Sequence, residues 1–514
     1  MWPIAKQTLK AAIRYRVVVE MAVALLVIVF GIPLLVKSDG TAKGTVQIVL
    51  TYTLGSTTAL LGIASLWMGC GTLAREIEDN VMQMVAVKPI ARWRVWFGKW
   101  LGIMLLNAAL MVPTGLAIFF LINARSDSSE LNEFQKAKLQ NEVLVSRSSV
   151  REAKRDFSIS RQRAYDYALL VAEEKTQYTE AEEAFRMSVT GPEHILSFRP
   201  DYPRLVEQSK TRPPPPEILA QLEKLESEAI RMSKASYEVV LPGQDRFWEF
   251  QIDPDIVDEV NQKPVYLRFK FNADDEYDPK SHTLWFSIGE GTSKRWPPEG
   301  TFKQMRRGSS AFHEEELPQG IVPEKGPEKG LMRVHFVNQN SERPIIFLME
   351  DGPMILYHDG GFGMNLFRGL LIIYFWLGLI SAIGLMASSF LSFPVATFMS
   401  LGILLISAST GTLEQIIDEG GITGVNHETG TKDESSILDA AAIFFARGAV
   451  KITKSIWGYS PVDSLSDGRT ITTTALFWAF FAIIIVMGGL VMALGAYMFH
   501  RKELALPNPT ASMN

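Results

Sequence analysis

Hydrophobic and polar positions divide this chain into three zones. Long uncharged runs fill both ends, and a charge-rich stretch, residues 125–364, separates them. Crossing the hydrocarbon of a bilayer takes about 20 apolar residues. Six runs approach that length: Val17–Leu35, Val46–Met68, Leu101–Ala124, Leu366–Phe390, Pro394–Thr412 and Ala475–Phe499. The pattern predicts an α-helical polytopic membrane protein with six transmembrane helices and an α+β extracytoplasmic insert. Thr, Ser and Gly in the second run suit close packing between helices. Pro113 predicts a kink in the third, and "SFLSFP" a short turn between the fourth and fifth.

The opening segment, residues 1–16, has a different periodicity. Trp2, Ile4, Leu9, Ala12 and Ile13 fall along one helical face, with Lys6, Lys10 and Arg14 largely opposite. That is the pattern of a helix lying at the cytoplasmic interface; the alternative is a short extension of the first span. Spans one to three then occupy 17–124, and spans four and five 365–412. The segment 413–471 carries "SSILDAAAIFFARGAVKITKSIW", apolar enough to touch the membrane. Its Asp439, Arg447, Lys451 and Lys454 predict a re-entrant or interfacial helix rather than a span. Span six and a tail fill 472–514.

Within the insert the texture changes once. Residues 129–189 are charge-dense and nearly free of Gly and Pro, and "TRPPPP" at 211–216 stops any helix before "EILAQLEKLESEAIRMSKAS" resumes one. This predicts a helical hairpin over 129–236. From 237 to 360 the period becomes two, in "RFWEFQI", "VYLRFKFN", "TLWFSI", "LMRVHFV", "IIFLME" and "MILYH". Short alternating strands separated by turn residues predict a β-sandwich.

Basic residues near span ends set the orientation. Lys6, Lys10, Arg14 and Arg16 precede the first span. Arg75, Lys88, Arg92, Arg94 and Lys99 lie between the second and third, and Arg501 and Lys502 follow the last. With alternating spans all three clusters share one face, which is expected to be the cytoplasm. Both termini are then cytoplasmic and 125–364 lies outside, as in a multi-pass protein of a bacterial cytoplasmic (inner) membrane. The segment 413–471 is acid-rich instead, with Glu414, Asp418, Glu419, Asp433 and Glu434.

Composition narrows the chemistry. A formal net charge of −5 gives no reason to expect a nucleic-acid partner, and one cysteine, Cys70, excludes an intramolecular disulfide or a Cys-ligated zinc cluster. Between Gly69 and Gly71 it reads as a small residue packed between helices. The first apolar run is too long for a signal-peptide core and lacks a clear cleavage site. No GxxxxGK[ST], HExxH or GxSxG occurs; the nearest phosphate-loop string, "GVNHETGTKD" at 424–433, has the wrong spacing. The seven histidines are scattered singly. Asp274, Asp275, Glu276 and Asp278 crowd one loop but lack the glycine and glutamate of an EF-hand. Charge inside the spans is confined to Glu20 and Arg368, both near an end, which disfavours an ion-coupled relay. No catalytic residue, metal site or cofactor of its own is expected.

One segment combines charge, proline and aromatics: "EIEDNVMQMVAVKPIARWRVWFGKW", residues 76–100. Glu76, Glu78 and Asp79 are read as opening a short helix near 73–92, at the end favoured by negative charge. Val81, Met82, Met84, Val85 and Val87 supply an apolar surface, and Pro89 ends it. Trp93, Arg94, Trp96, Lys99 and Trp100 then read as headgroup anchors. The string resembles the signature of ABC type-2 transporter permeases, E-x-E-x-G-T-L, an apolar run, P-[VI]-[SA]-R and G-K. Glu76 and Glu78 take the acid positions, Pro89, Ile90, Ala91 and Arg92 the elbow, and Gly98-Lys99 the close. Asn80, Val81 and Met82 depart from the usual Gly, Thr and Leu.

Six spans, an N-terminal interfacial helix and the "HRKEL" tail at 500–504 are also similar to that family. The resemblance covers about 1–124 and 365–514 and leaves 125–364 as an insertion. It implies a permease subunit with no ATP site, driven by a separate ABC ATPase that binds the ATP. Glu76, Glu78, Asp79, Met82, Pro89 and Arg92 would couple to that ATPase, and a second permease copy or paralogue would complete the complex. Two other readings stay open: a non-transporting complex that transmits ATP-driven movement to the outer domain, and a plain membrane anchor.

Overall fold

A computed structural model describes the chain except for residues 15–16, 36–40, 80, 83–89, 127–131, 154–229, 231–232, 274–280, 290–294, 300, 341–342, 350, 411, 414–442, 452, 454–459 and 503–514. It divides into two compact units, Met1–Arg147 with Asp359–Asn514, and Ser148–His358.

The first unit is helical. Helices α1 (Trp2–Arg14), α2 (Val17–Leu35), α3 (Ala42–Glu78), α4 (Arg92–Ser126) and α5 (Glu133–Glu142) precede the second unit. Helices α6 (Phe362–Ser388), α7 (Phe393–Ala408) and α8 (Thr473–Arg501) follow it. Five of them, α2, α3, α4, α6 and α8, are long and apolar enough to cross a membrane. The expected fifth span, α7, has only 16 residues. At 1.5 Å per residue it reaches ~24 Å, short of a ~30 Å hydrocarbon layer. By the same measure the 37 residues of α3 reach ~55 Å. Hydropathy marks where a span leaves lipid, whereas a helix stops only at a breaker or a cap. Nothing in "GCGTLAREIE" halts α3 before Asp79. At its other end the Thr41 hydroxyl accepts the Gly44 N–H at 3.0 Å, an N-cap.

Helices α3 and α6 make the central contact. A Cβ built on Gly69 would lie 2.7 Å from the Ser381 carbonyl oxygen, and one on Gly384 would lie 2.7 Å from the Leu66 oxygen. The two backbones therefore touch. The Ser388 hydroxyl donates to the Gly69 carbonyl across this contact at 3.2 Å. Cys70 is buried beside it, its Sγ 3.7 Å from Ser400 Oγ of α7, the small interhelical residue expected. Away from this end, Asn365 of α6 donates to the Arg469 carbonyl and accepts from the Ile471 N–H, both at 2.8 Å. Arg368, near the start of α6, donates to the Ile471 carbonyl. Residues 443–451, within the segment 413–471, are helical, with Phe444 and Phe445 exposed and Ala446 and Val450 buried. The acids Glu414–Glu434, the 424–433 string and Asp439 lie outside the described residues.

The second unit is β-rich. All six runs read as strands contain strands: β3 (Asp245–Gln251), β4 (Val265–Lys270) with β5 (Asn272–Ala273), β6 (His282–Ile288), β9 (Leu331–Val337), β10 (Ile345–Ile346) and β11 (Met354–Gly361). Four strands were not expected: β1 (Val145–Arg151), β2 (Val239–Val240), β7 (Lys303–Arg307) and β8 (Phe312–Leu317). The sheets run β1-β11-β4-β8, β3-β9-β6-β7 and β2-β10-β5. Phe250, Phe286 and Phe336 from the second sheet meet Leu267, Phe269 and Ile355 from the first in one core. The β7 and β8 sequences, "KQMRR" and "FHEEEL", occupy sheet edges, where charge blocks further pairing and hides the period of two. The predicted hairpin over 129–236 is corrected at its start: α5 ends at Glu142 and "VSRSSVR" is strand β1. Residues 154–229 of that hairpin, with "TRPPPP", and the acidic loop 274–278 lie outside the described residues.

His313 provides a pH test of this unit. It sits 5.6 Å from the Phe269 ring, with Nε2 2.7 Å from the Gly308 carbonyl. Burial pushes its imidazole below the ordinary 6.5, outweighing the Gly308 contact. The unfolded chain then binds the proton more readily, so stability falls as the pH drops below about 6.5 and levels off once the folded form is also protonated. His313→Gln is expected to flatten that limb of the melting-temperature profile. An unchanged slope would assign the loss to other groups.

Candidate functional site

The segment 76–100 becomes a junction of helix ends. On α4, Arg92, Trp96, Lys99 and Trp100 recur at helical spacing along one stripe. The Arg92 guanidinium donates to three carbonyls at the end of α8, Phe499 at 3.1 Å, His500 at 2.7 Å and Lys502 at 2.8 Å. A helix C-terminus leaves such carbonyls without partners and carries partial negative charge, so a cation is favoured there. One turn further, Trp96 is 1% exposed. Its ring lies against Gly495 of α8, where a Cβ would come within 3.0 Å of it, and its Nε1 donates to Ser389 Oγ at 3.1 Å. Trp100 Nε1 donates to the Gly378 carbonyl of α6 at 2.9 Å.

Lys99 completes the stripe. It is 3% exposed, and its ammonium lies 2.7 Å from Glu76 Oε1 and 3.0 Å from the Thr72 carbonyl of α3. A buried ammonium is tolerated because a carboxylate and a carbonyl replace its hydration. These four side chains thus tie α4 to α3, α6 and α8.

The acids have positions different from those the sequence suggested. Glu76 and Glu78 do not open a helix; they end α3, and Asp79 is its C-cap. Negative charge at a C-terminus is unfavourable by itself, and the tertiary structure supplies the compensation. Glu76 meets Lys99. Glu78 Oε1 accepts the N–H of Phe393, the first residue of α7, at 2.8 Å. Glu78 thus lies at the N-terminus of a neighbouring helix rather than its own, where the dipole favours its charge. Phe393 is gripped further by Arg75, whose guanidinium carbon lies 4.3 Å from the ring centroid, and by Trp67 edge-on at 5.2 Å.

The expected headgroup anchors divide accordingly. Trp93 is 50% exposed and carries Arg94 against its ring, with the Arg94 side chain also exposed. Both remain free to meet a membrane surface. Trp96 and Lys99 are turned inward and cannot, and Trp100 is held by its bond to α6. Met82 is buried against the same cluster as Leu73, Val95 and Trp96. Asp79 is exposed, and its carboxylate takes no partner among the described residues. Pro89 lies outside the described residues. The spacing 92, 96, 99, 100 was the available sequence signal: a surface anchor has no need of a helical stripe.

On another side of α4, Gly98 and Gly102 seat α1. A Cβ on Gly98 would come 2.9 Å from Ile4 Cβ, and one on Gly102 would come 2.7 Å from Thr8 Cβ. Gly102→Leu is expected to displace α1 while leaving the Lys99–Glu76 pair intact; faster proteolysis of the first fourteen residues would report it. Among the described residues no group of His, Cys, Asp or Glu is arranged to hold a metal ion. No family model, no curated protein and no solved structure matches this chain.

Proposed function

We propose that this chain is the membrane-embedded permease subunit of an ABC-type assembly, moved by a separate ATPase that engages residues 79–91 from the cytoplasm. The observation that carries the reading is the junction itself. The ends of α3, α4, α6 and α8 are tied together by Arg92, Trp96 and Lys99 beside that segment, and Trp100 adds a bond further along α6. A push on residues 79–91 would therefore reach four helices at once rather than bend one loop. The signature resemblance of 76–100 and the basic clusters near the helix ends support the same orientation, with both termini cytoplasmic, in a bacterial inner membrane. Six spans would be completed by α7 together with residues beyond it, and Ser148–His358 would lie outside. A second permease would pair with this one.

The scarcity of charged residues in the apolar runs supports, as a second reading, transmission of movement to the outer domain without cargo.

Since Glu76 and Glu78 serve inside the chain, Asp79 is the acid left for a basic partner surface. Purification of the tagged full chain in mild detergent is expected to recover an ATPase in stoichiometric amount. Asp79→Lys should lower that recovery about tenfold, equivalent to ~1.4 kcal/mol, with the melting temperature unchanged. Absence of an ATPase from the wild-type preparation in several detergents would leave a plain anchor as the better description.

A further inference from the structure

Helix α1 has three sides rather than two. Going round its axis, Ile4, Thr8, Ala12, Ala5 and Leu9 come first. Ile4, Ala5 and Thr8 sit on Gly98 and Gly102 of α4, and Leu9 and Ala12 pack on the core of Leu25, Leu61 and Leu106. Next come Trp2 and Ile13, 63% and 54% exposed. Then follow Lys6, Lys10 and Arg14, all exposed. The order is protein, open apolar edge, basic edge. One side is already occupied, so this arrangement leaves the other two for a partner that is apolar and anionic side by side.

Charge points the same way. Residues 1–19 contain no Asp or Glu. No carboxylate among the described residues pairs with Lys6, Lys10 or Arg14. Arg94 shares the α4 stripe of Gly98 and Gly102, one turn from Gly98, and is exposed beside Trp93. Lys6 to Arg14 spans ~12 Å along the helix, enough to meet more than one headgroup. We infer that α1, with Arg94, is a docking surface for acidic phospholipids of the bilayer. Trp2 and Ile13 would enter the acyl boundary, and Lys6, Lys10, Arg14 and Arg94 would hold the phosphates. This holds whether or not the chain is a permease.

The test uses the full chain reconstituted in phosphatidylcholine bilayers with a trace of spin-labelled phosphatidylglycerol or phosphatidylcholine. The ratio of motionally restricted fractions measures the preference for the acidic lipid. The wild type is expected to prefer phosphatidylglycerol. Lys6→Gln, Lys10→Gln and Arg14→Gln should each lower the preference by up to about fivefold at low salt, and the triple variant should approach parity. None of the three side chains has a partner among the described residues, so the melting temperature in detergent should not move. Lys6→Arg with Lys10→Arg keeps the charge and should keep the preference. A wild-type ratio of one, or a triple variant that retains the wild-type ratio, would overturn the assignment. So would a larger drop with inorganic phosphate than with chloride at matched ionic strength, which would indicate a free-anion site instead.

Discussion

Glu76→Gln is expected to destabilise the helical unit by about 2–3 kcal/mol, because it strands the Lys99 ammonium inside the bundle. Removing one partner of a buried pair costs roughly 3–5 kcal/mol. A value at or below the bottom of that range applies here because the Glu76 side chain remains 33% exposed and some solvent can reach the pair. The Thr72 carbonyl at 3.0 Å stays as a partner, but a neutral carbonyl cannot balance a full charge. The double variant Glu76→Leu with Lys99→Met should recover most of the loss, since an apolar pair of similar volume needs no hydration to be replaced. Unfolding of the purified protein in mixed detergent micelles would measure both. A single variant as stable as the wild type would show that Lys99 finds water or another anion. The charge reversal that the signature alone suggests, Glu76→Lys, would place two ammonium groups together and confound any effect on a partner with unfolding.

Gly384→Val is expected to prevent α3 and α6 from packing at all. Its Cβ would lie 2.7 Å from the Leu66 carbonyl oxygen and 3.1 Å from the Cys70 nitrogen. Both are backbone atoms within a helix, which cannot rotate away as a side chain would. Overpacking usually costs about 1–3 kcal/mol, and a backbone-to-backbone clash between α3 and α6 belongs at or beyond the upper end. Gly55, in the facing helix α3, has nothing within 4 Å of its would-be Cβ. Gly55→Ala should therefore stabilise by up to about 1 kcal/mol through helix propensity alone. Opposite signs for two glycine substitutions, read from yield and melting temperature in one detergent, would confirm close contact rather than general glycine sensitivity. Tolerance of Gly384→Val would mean that the helices separate there in the membrane.

Both predictions depend on contacts between residues far apart in sequence, and that is where legibility stopped. The strands β3, β4, β6, β9 and β11 were visible as a period of two because one face of each is buried in a common core. β7 and β8 were not, because both are edge strands dominated by charge, "KQMRR" and "FHEEEL", whereas the edge strand β3 keeps Trp248 and Phe250 on its buried face. In segment 76–100 the residue types are visibly unusual in the sequence, but their neighbours are not. A tryptophan or lysine at the end of an apolar run has the same hydropathy signature whether it meets lipid headgroups, as exposed Trp93 and Arg94 can, or another helix, as Trp96 and Lys99 do.

Sequence alone determined that apolar helices flank a β-rich region, that α1 has a basic edge, and that residues 76–100 are chemically distinct. These follow from periodicity and composition, which depend only on local order. The tertiary structure alone decided that α3 runs on to Glu78, that Glu76 belongs to Lys99 and Glu78 to the start of α7, and that α7 is a short helix. The physical reason is that a buried charge or an unpaired helix end is stable only with a specific partner. Which partner it finds is set by how the helices pack, and packing brings together positions that the linear order keeps apart.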